Sequence, residues 1–255
     1  MADRMPVVFT GHGYPMNAIT DSPARDGWKR LGAALGKPAA IVAITGHWQT
    51  SGQCVRIAND NPFLYDVWDI PEETFNMKYS PVGSPRHLMR VKELLGDGVF
   101  DDNTWGIGHA LWVPLSNMYP DADVPVVLLS TDVDSAPCDA LELGRKLSPL
   151  RDEGVLIFCS GNIVHEVDMV DQTMKDGLPW AIEFNDKIKE LTLSRRTDEL
   201  LNYKNIPHHE LAVPTVDHYY PFLTAYGASS EDNKITVFND YCELASLSMT
   251  SYMFG

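Results

Sequence analysis

Val8-Phe9-Thr10-Gly11-His12-Gly13, Ala43-Ile44-Thr45-Gly46-His47-Trp48 and Phe158-Cys159-Ser160-Gly161-Asn162-Ile163-Val164-His165 repeat one pattern. Each is an apolar run, a small hydroxyl residue, a glycine, and then a histidine or another polar residue with a histidine close behind. The apolar runs at 6–9, 40–45, 124–130 and 155–160 are continuous rather than alternating. Such runs suit strands covered on both faces in a largely parallel sheet. Between them, 25–35, 85–95, 138–150 and 179–193 carry apolar residues three and four apart, the helical spacing. Strand-helix alternation predicts an α/β fold, a single domain over 1–255 with a central mostly parallel or mixed sheet flanked by helices. Residues 235–238 and 247–252 read as two more strands closing that sheet.

In open α/β sheets the ligand crevice lies beyond the carboxyl ends of the strands. A glycine there lets the chain turn without a Cβ clash. The repeats therefore deliver His12, His47 and His165 to one sheet edge. A strand-end histidine is by default a hydrogen-bonded structural residue, and the repetition weighs against that default. Three imidazoles can hold zinc or iron and leave positions open for water or substrate. Trp105-Gly106-Ile107-Gly108-His109-Ala110-Leu111-Trp112 puts His109 at a glycine-rich approach to an apolar helix. Pro214-Thr215-Val216-Asp217-His218-Tyr219-Tyr220-Pro221 puts His218 in the first turn of another. The positive end of a helix dipole favours neutral, ligand-competent imidazole at both places. His208 and His209 in a polar loop, and His87 on an exposed helix face, are expected to have no role. The long aromatic stretch 59–83, broken by Pro62, Pro71 and Pro81, reads as a functional loop.

Other chemistries are excluded residue by residue. The chain has 35 acidic against 20 basic residues, a net charge of −15, which repels nucleic acid and anionic membrane surfaces. There is no G-x-S-x-G elbow, Walker loop or H-E-x-x-H, and Gly11-His12-Gly13 lacks the rest of a dinucleotide fingerprint. Cys54, Cys138, Cys159 and Cys242 are scattered and read as reduced, mostly buried thiols. No run approaches the length of a membrane span and the first residues lack a signal-peptide layout, so a cytoplasmic protein is expected.

The ordered blocks Thr-Gly-His-Gly-x-Pro-Met from Thr10, Thr-Gly-His-Trp from Thr45, Tyr79-Ser80-Pro81-Val82-Gly83-Ser84-Pro85, Trp105-Gly106-x-Gly-His109, Met118 to Pro125, Ser160-Gly161-Asn162-x-Val164-His165 and Pro214-Thr215-x-x-His218-Tyr219 together resemble class III extradiol ring-cleavage dioxygenases. The likeness is to their 4,5-DOPA branch. It implies a non-haem Fe(II) enzyme, zinc occupying the same site in some preparations, that opens the ring of a catechol, DOPA-like or related, with O2. By that resemblance His12, His47 and His218 match the metal ligands. His165 matches an acid/base residue or further metal contact, and His109 a pocket histidine near substrate or oxygen. A catechol bound through two oxygens beside dioxygen asks for a facial set of three protein ligands. Zinc, having no redox chemistry, can fill such a site without supporting the reaction. The competing class is a non-enzymatic metal-binding or interaction protein on the same scaffold.

The departures fall on the expected pocket wall. Tyr14 stands where the family has a small residue, and Gly108-His109-Ala110 replaces Asp-His-Gly. Tyr65-Asp66-Val67-Trp68-Asp69-Ile70-Pro71 replaces His-Asp-Phe-Gly-Gly-Phe-Pro. Tyr14, Tyr65 and Trp68 are therefore expected to shape the substrate pocket. Asp66 and Asp69 are expected to favour an amine-bearing catechol, dopamine or DOPA, over protocatechuate.

Overall fold

The four apolar runs form the middle of one sheet. The computed structural model describes residues 4–67, 72–74 and 76–255, so Trp68, Asp69, Ile70, Pro71 and Phe75 lie outside the described residues. In chain order the strands are β1 (Val7–Gly11), β2 (Ala40–Thr50), β3 (Cys54–Arg56), β4 (Phe100–Asp102), β5 (Val126–Asp132), β6 (Val155–Gly161), β7 (Ile235–Phe238), β8 (Cys242–Glu243), β9 (Leu247–Ser248) and β10 (Ser251–Phe254). The helices are α1 (Pro23–Leu35), α2 (Pro85–Leu95), α3 (His109–Met118), α4 (Pro137–Leu147), α5 (Pro179–Leu193), α6 (Thr197–Leu201), α7 (His209–Ala212) and α8 (Tyr220–Ala228). Eight strands make a mixed sheet in the order β4-β3-β5-β2-β6-β1-β10-β7, and β8-β9 is a separate hairpin. The central β5-β2-β6-β1 block is parallel; β10 and β7 run antiparallel on one side, and β3 meets β5 antiparallel on the other.

Continuous apolar runs are needed because both faces of the central strands are buried. Val7 and Phe9, Val42 and Ile44, Ile157 and Cys159 enter one core with α4, α5 and α8. Val8, Ile41, Ala43, Leu156 and Phe158 enter the other, where Trp28 of α1 and Leu111, Trp112 and Leu115 of α3 pack. The strands thus stand between α8 and α3, the two helices whose first turns border the histidines.

Four local expectations are corrected. Residues 247–252 do not form one strand: β9 pairs with β8, and only Ser251–Phe254 joins the sheet. The chain crosses the end of β1 at this point, so closely that a Cβ on Gly11 would lie 2.6 Å from the Ser248 carbonyl oxygen and 2.7 Å from Met249 Cα. The helix expected over 138–150 stops at Leu147, since Pro149 has no N–H to continue the ladder, and a 3-10 turn Ser148–Glu153 follows. His87 is 8% exposed rather than solvent-facing, because it lies one and two turns before the buried Val91 and Leu95 on the inner face of α2; its Nδ1 meets Ser84 Oγ at 2.7 Å. Of the cysteines only Cys159 and Cys242 are buried, while Cys54 is half-buried and Cys138 exposed. Among the described residues no helix is long and apolar enough to cross a membrane.

Candidate metal centre

His12 follows the last residue of β1, and β6 runs in register beside it, with Gly11 opposite Gly161. His47 lies within β2, at an irregularity: the β2–β5 register shifts between Ile44 and Gln49. An irregular stretch of that kind re-aims a side chain that regular pleating would point elsewhere. The hydroxyl residue of the repeat helps, since Thr45 Oγ1 accepts the His47 N–H at 3.2 Å. His218 sits two residues ahead of α8, not in its first turn, while His109 is the first residue of α3.

The glycines serve close approach more than turning. A Cβ on Gly161 would lie 2.2 Å from the His218 carbonyl oxygen, and one on Gly46 2.9 Å from that of Asp217. Both glycines therefore admit the 217–218 backbone to the strand ends. In Trp-Gly-x-Gly-His the same logic applies to the loop at 62–66. A Cβ on Gly106 would stand 2.2 Å from the Pro62 carbonyl oxygen and one on Gly108 2.3 Å from Asp66 Oδ2. Backbone hydrogen bonds Ile107 N to Pro62 O (2.8 Å) and Leu64 N to Ile107 O (2.9 Å) fasten that loop down.

Five imidazoles gather at this edge. Ring centroids of His12 lie 5.2, 5.1 and 5.3 Å from those of His47, His109 and His218. His47 is 4.1 Å from His109 and 5.0 Å from His218. His165 stacks on His218 at 3.4 Å, nearly parallel at 9°. Ligand atoms of His12, His47 and His109 lie within 4.8 Å of one another, as do those of His165, Asp217 and His218. All five histidines singled out in the sequence are thus together.

The second ring nitrogens identify which atoms can hold a cation. His12 Nδ1 is 3.2 Å from Ser160 Oγ, whose own hydroxyl donates to the Ala110 carbonyl at 2.5 Å. That serine can only accept from His12, so Nδ1 carries the proton. His218 Nδ1 hydrogen-bonds the buried Asp217 carboxylate. His47 Nδ1 stands 3.4 Å from Asp66 Oδ2, a charge contact longer than a full hydrogen bond. Asp66 Oδ1 accepts from the His109 backbone N–H at 2.8 Å and meets its Nδ1 at 3.1 Å. Where both protons sit at Nδ1, the Nε2 lone pairs of His47 and His218 face each other 3.2 Å apart. Two lone pairs at that distance repel unless a cation lies between them. The spacing is under twice the ~2.0–2.1 Å bond of imidazole to zinc. The donor set fits a divalent metal.

Electrostatics keep the site ready for one. Burial, then the neighbouring His109, His218 and His165, holds His12 well below its ordinary imidazole value. Burial, then His109, His218, His12 and His165, does the same to His47. His165 is also lowered, by burial and then by His218, against an opposing pull from Asp217. Burial works to raise the Asp217 carboxyl, but the bond and charge of His218 hold it below the usual carboxylate range. These imidazoles are neutral at pH 7, as ligands must be.

Sequence reasoning missed the partners of the histidines. Ser160 is read there only as the small hydroxyl residue of the strand-end repeat, and Asp217 is given no role of its own. Asp66, expected to meet a substrate amine, has a side chain 4% exposed and turns both oxygens to imidazoles. Both its oxygens face His47 and His109; its preservation, shared only by Pro71, in a stretch altered at the other five positions is the signal that could have revealed this. Of the expected pocket residues, Tyr14 is half-buried as the N-cap of the 3-10 turn Pro15–Ala18. Tyr65 is 48% exposed with its ring 4.9 Å from Phe63, which stacks on Trp112. Trp68 and Asp69 lie outside the described residues.

Comparison with known proteins agrees with this architecture. Residues 6–255 match the family described as the catalytic LigB subunit of aromatic ring-opening dioxygenase. The chain is 38% identical to 4,5-DOPA dioxygenase extradiol of Escherichia coli (strain K12), covering 99% of this chain and 95% of that one. It is 34% identical to the protein of the same name from Beta vulgaris, covering 96% and 95%. A crystal structure of an uncharacterized Escherichia coli K12 protein superposes with a TM-score of 0.88 at 37% identity, over 99% of this chain and 100% of that one. The chain therefore belongs to the LigB family of class III extradiol dioxygenases, enzymes that open aromatic rings.

Proposed function

We propose that this enzyme is a non-haem Fe(II) dioxygenase that opens the ring of a catechol, with His12, His47 and His218 as the iron ligands. The observation that carries the reading is the 3.2 Å approach of two Nε2 atoms whose Nδ1 partners are carboxylates. Bound there, iron would let electrons pass from a catechol to dioxygen, both of whose atoms enter the ring-opened product, which zinc in the same nitrogen set would not.

The chain's own residues then have separate tasks. Asp217, Asp66 and Ser160 keep each ligand's proton on Nδ1 and aim Nε2 inward. His165, its plane against His218, is neutral at pH 7 and takes a catechol hydroxyl proton as general base. His109 shares Asp66 with His47, which points its Nε2 toward the space a substrate or dioxygen would occupy. Tyr14 and Tyr65 are assigned to the wall that selects the ring's substituents.

A protein that only bound metal would have no use for an unligated base beside the ligands, and this favours catalysis over an interaction role. Anaerobic loading with Fe(II), then addition of a catechol while oxygen uptake and ring-opened product are followed, tests the proposal. One equivalent of iron and metal-dependent uptake is the expected result. Iron binding without uptake on any simple catechol would overturn the substrate class.

A further inference from the structure

The β8-β9 hairpin carries a carboxylate that the proposed chemistry leaves unused. Glu243 pairs with Leu247, and Leu247 pairs in turn with His165, all antiparallel. Directly opposite residues in such pairs project to the same face. The other face is settled: Ser248 Oγ donates to Asn185 Oδ1 of α5 at 2.6 Å, and a Cβ on Gly177 would touch Cys242 Cβ at 2.4 Å. Glu243, Leu247 and His165 therefore look the opposite way, the direction in which His165 meets His218. Leu247 is buried yet belongs to neither core.

The far end of the Glu243 side chain reaches the turn that follows β1. Its Oε1 accepts from Asn17 Nδ2 at 2.9 Å and lies 2.7 Å from where a Cβ on Gly13 would stand. Gly13 directly follows His12, so the carboxylate borders the proposed metal site on its β1 side. Two strand spacings of roughly 5 Å separate Glu243 from His165. That span suits a catechol ring with a two-carbon arm.

The hairpin is held in place at some backbone expense. Leu244 and Ala245, at its tip, have φ of 52° and 73°, left-handed values that side chains with a Cβ rarely adopt. Four backbone hydrogen bonds with the 171–178 segment clamp them: Leu244 N to Met174 O, Ala245 N to Asp176 O, Asp171 N to Leu244 O and Leu178 N to Ala245 O. Strained positions that the surroundings over-determine gather at ligand sites. Among the described residues, Asn17 is the only group that lowers the Glu243 carboxyl, which burial otherwise raises. A half-buried carboxylate with one amide for company is short of a cation.

We infer that Glu243 reads the arm of the substrate, its carboxylate receiving the protonated amine of an aminoethyl-type substituent on the catechol. The role that Asp66 cannot play thus falls to a residue 177 positions later in the chain. The inference rests on the catechol reading of the site and adds which catechols it prefers. A charge-assisted hydrogen bond to such an amine gives a selectivity of about tenfold or more.

The test compares dopamine with 4-ethylcatechol, which keeps the two-carbon arm and lacks the ammonium group, on the Fe(II)-loaded enzyme. Glu243→Gln keeps an acceptor for Asn17 and removes the charge. The dopamine to 4-ethylcatechol ratio of kcat/KM should fall about tenfold or more, through KM, and Glu243→Lys should favour 3-(3,4-dihydroxyphenyl)propanoate instead. In wild type the same ratio should fall from low to high salt, which serves even where a variant fails to fold. Anaerobic dissociation constants of the two ligands supply the ratio in a protein that opens neither ring, so failure of the catechol reading is told apart from failure of this one. A ratio indifferent to both the Gln substitution and salt overturns the inference and leaves Glu243 a prop for the Gly13–Asn17 turn.

Discussion

Replacing Asp66 by asparagine should release metal while leaving the fold intact. Asp66 Oδ1 is anchored by two donors of His109, the backbone N–H at 2.8 Å and Nδ1 at 3.1 Å. An asparagine has one acceptor oxygen, and these two donors will claim it. The amide nitrogen must then stand where Oδ2 was, 3.4 Å from His47 Nδ1. Donor would face donor. His47 escapes by moving its proton to Nε2 or by swinging away, and either choice removes a lone pair from the site. Loss of such an outer partner weakens metal binding by about 10–100-fold, roughly 1.4–2.8 kcal/mol. The fold loses only one contact that was longer than a hydrogen bond, at a cost near 1 kcal/mol or less. Competition for Fe(II), Co(II) or Zn(II) against a chelator of known affinity, with thermal unfolding of the metal-free protein in parallel, separates the two effects. A variant that keeps wild-type affinity would refute the idea that Asp66 sets the His47 tautomer.

The remaining expectations address single groups. His12→Ala or His47→Ala should abolish stoichiometric iron while circular dichroism stays near wild type, since a chain of this length folds on its two cores; a mutant holding a full equivalent contradicts the ligand assignment. His165→Ala should retain metal and lose roughly 10²–10⁴-fold in turnover, the range for a positioned proton-transfer group; an iron-loaded variant with near wild-type turnover excludes the base role. Metal-free protein should lose stability as pH falls below about 6.5, because the unfolded chain then protonates histidines that His12, His47 and His165 keep neutral when folded. The slope is about 1.4 kcal/mol per pH unit for each proton, full stability lies above that pH, and a flat urea-unfolding profile between pH 5 and 8 would count against it. Gly161→Ala should displace His218, whose carbonyl stands 2.2 Å from the new Cβ, and so reduce both stability and metal affinity; a variant with unaltered metal affinity would show the strand end can yield.

The central strands were readable because burial on both faces leaves a signature that little else produces, an unbroken apolar run. The same reasoning failed at 247–252, where two short strands in different sheets share one apolar stretch. What divides them is the passage of Ser248 and Met249 over Gly11, a contact between residues more than 230 positions apart. The sequence pattern of 87, 91 and 95 did contain the burial of His87, but a polar residue on an apolar stripe reads as an edge until Ser84 is seen to satisfy it.

For the site, His12 and His47 announced themselves because a hydroxyl residue and a glycine directly precede them. The groups that make those histidines useful did not. An imidazole shows its chemistry in its type, whereas a carboxylate shows it only through what it faces. Asp66 and Asp69 look equivalent on a line of text, and both look like candidates for an amine. Folding settles the matter for Asp66 by bringing Gly106 and Gly108 against its loop, which buries the carboxylate between His47 and His109 and withdraws it from substrate. Glu243 shows the converse. Nothing near it in sequence suggests a site, yet pairing through Leu247 sets it in the row that His165 begins, and the same row ends against the glycine that follows His12. The acidic group that serves the ligands and the acidic group left for a ligand's cation can be told apart by one criterion, namely whether the carboxylate's oxygens already face imidazole nitrogens.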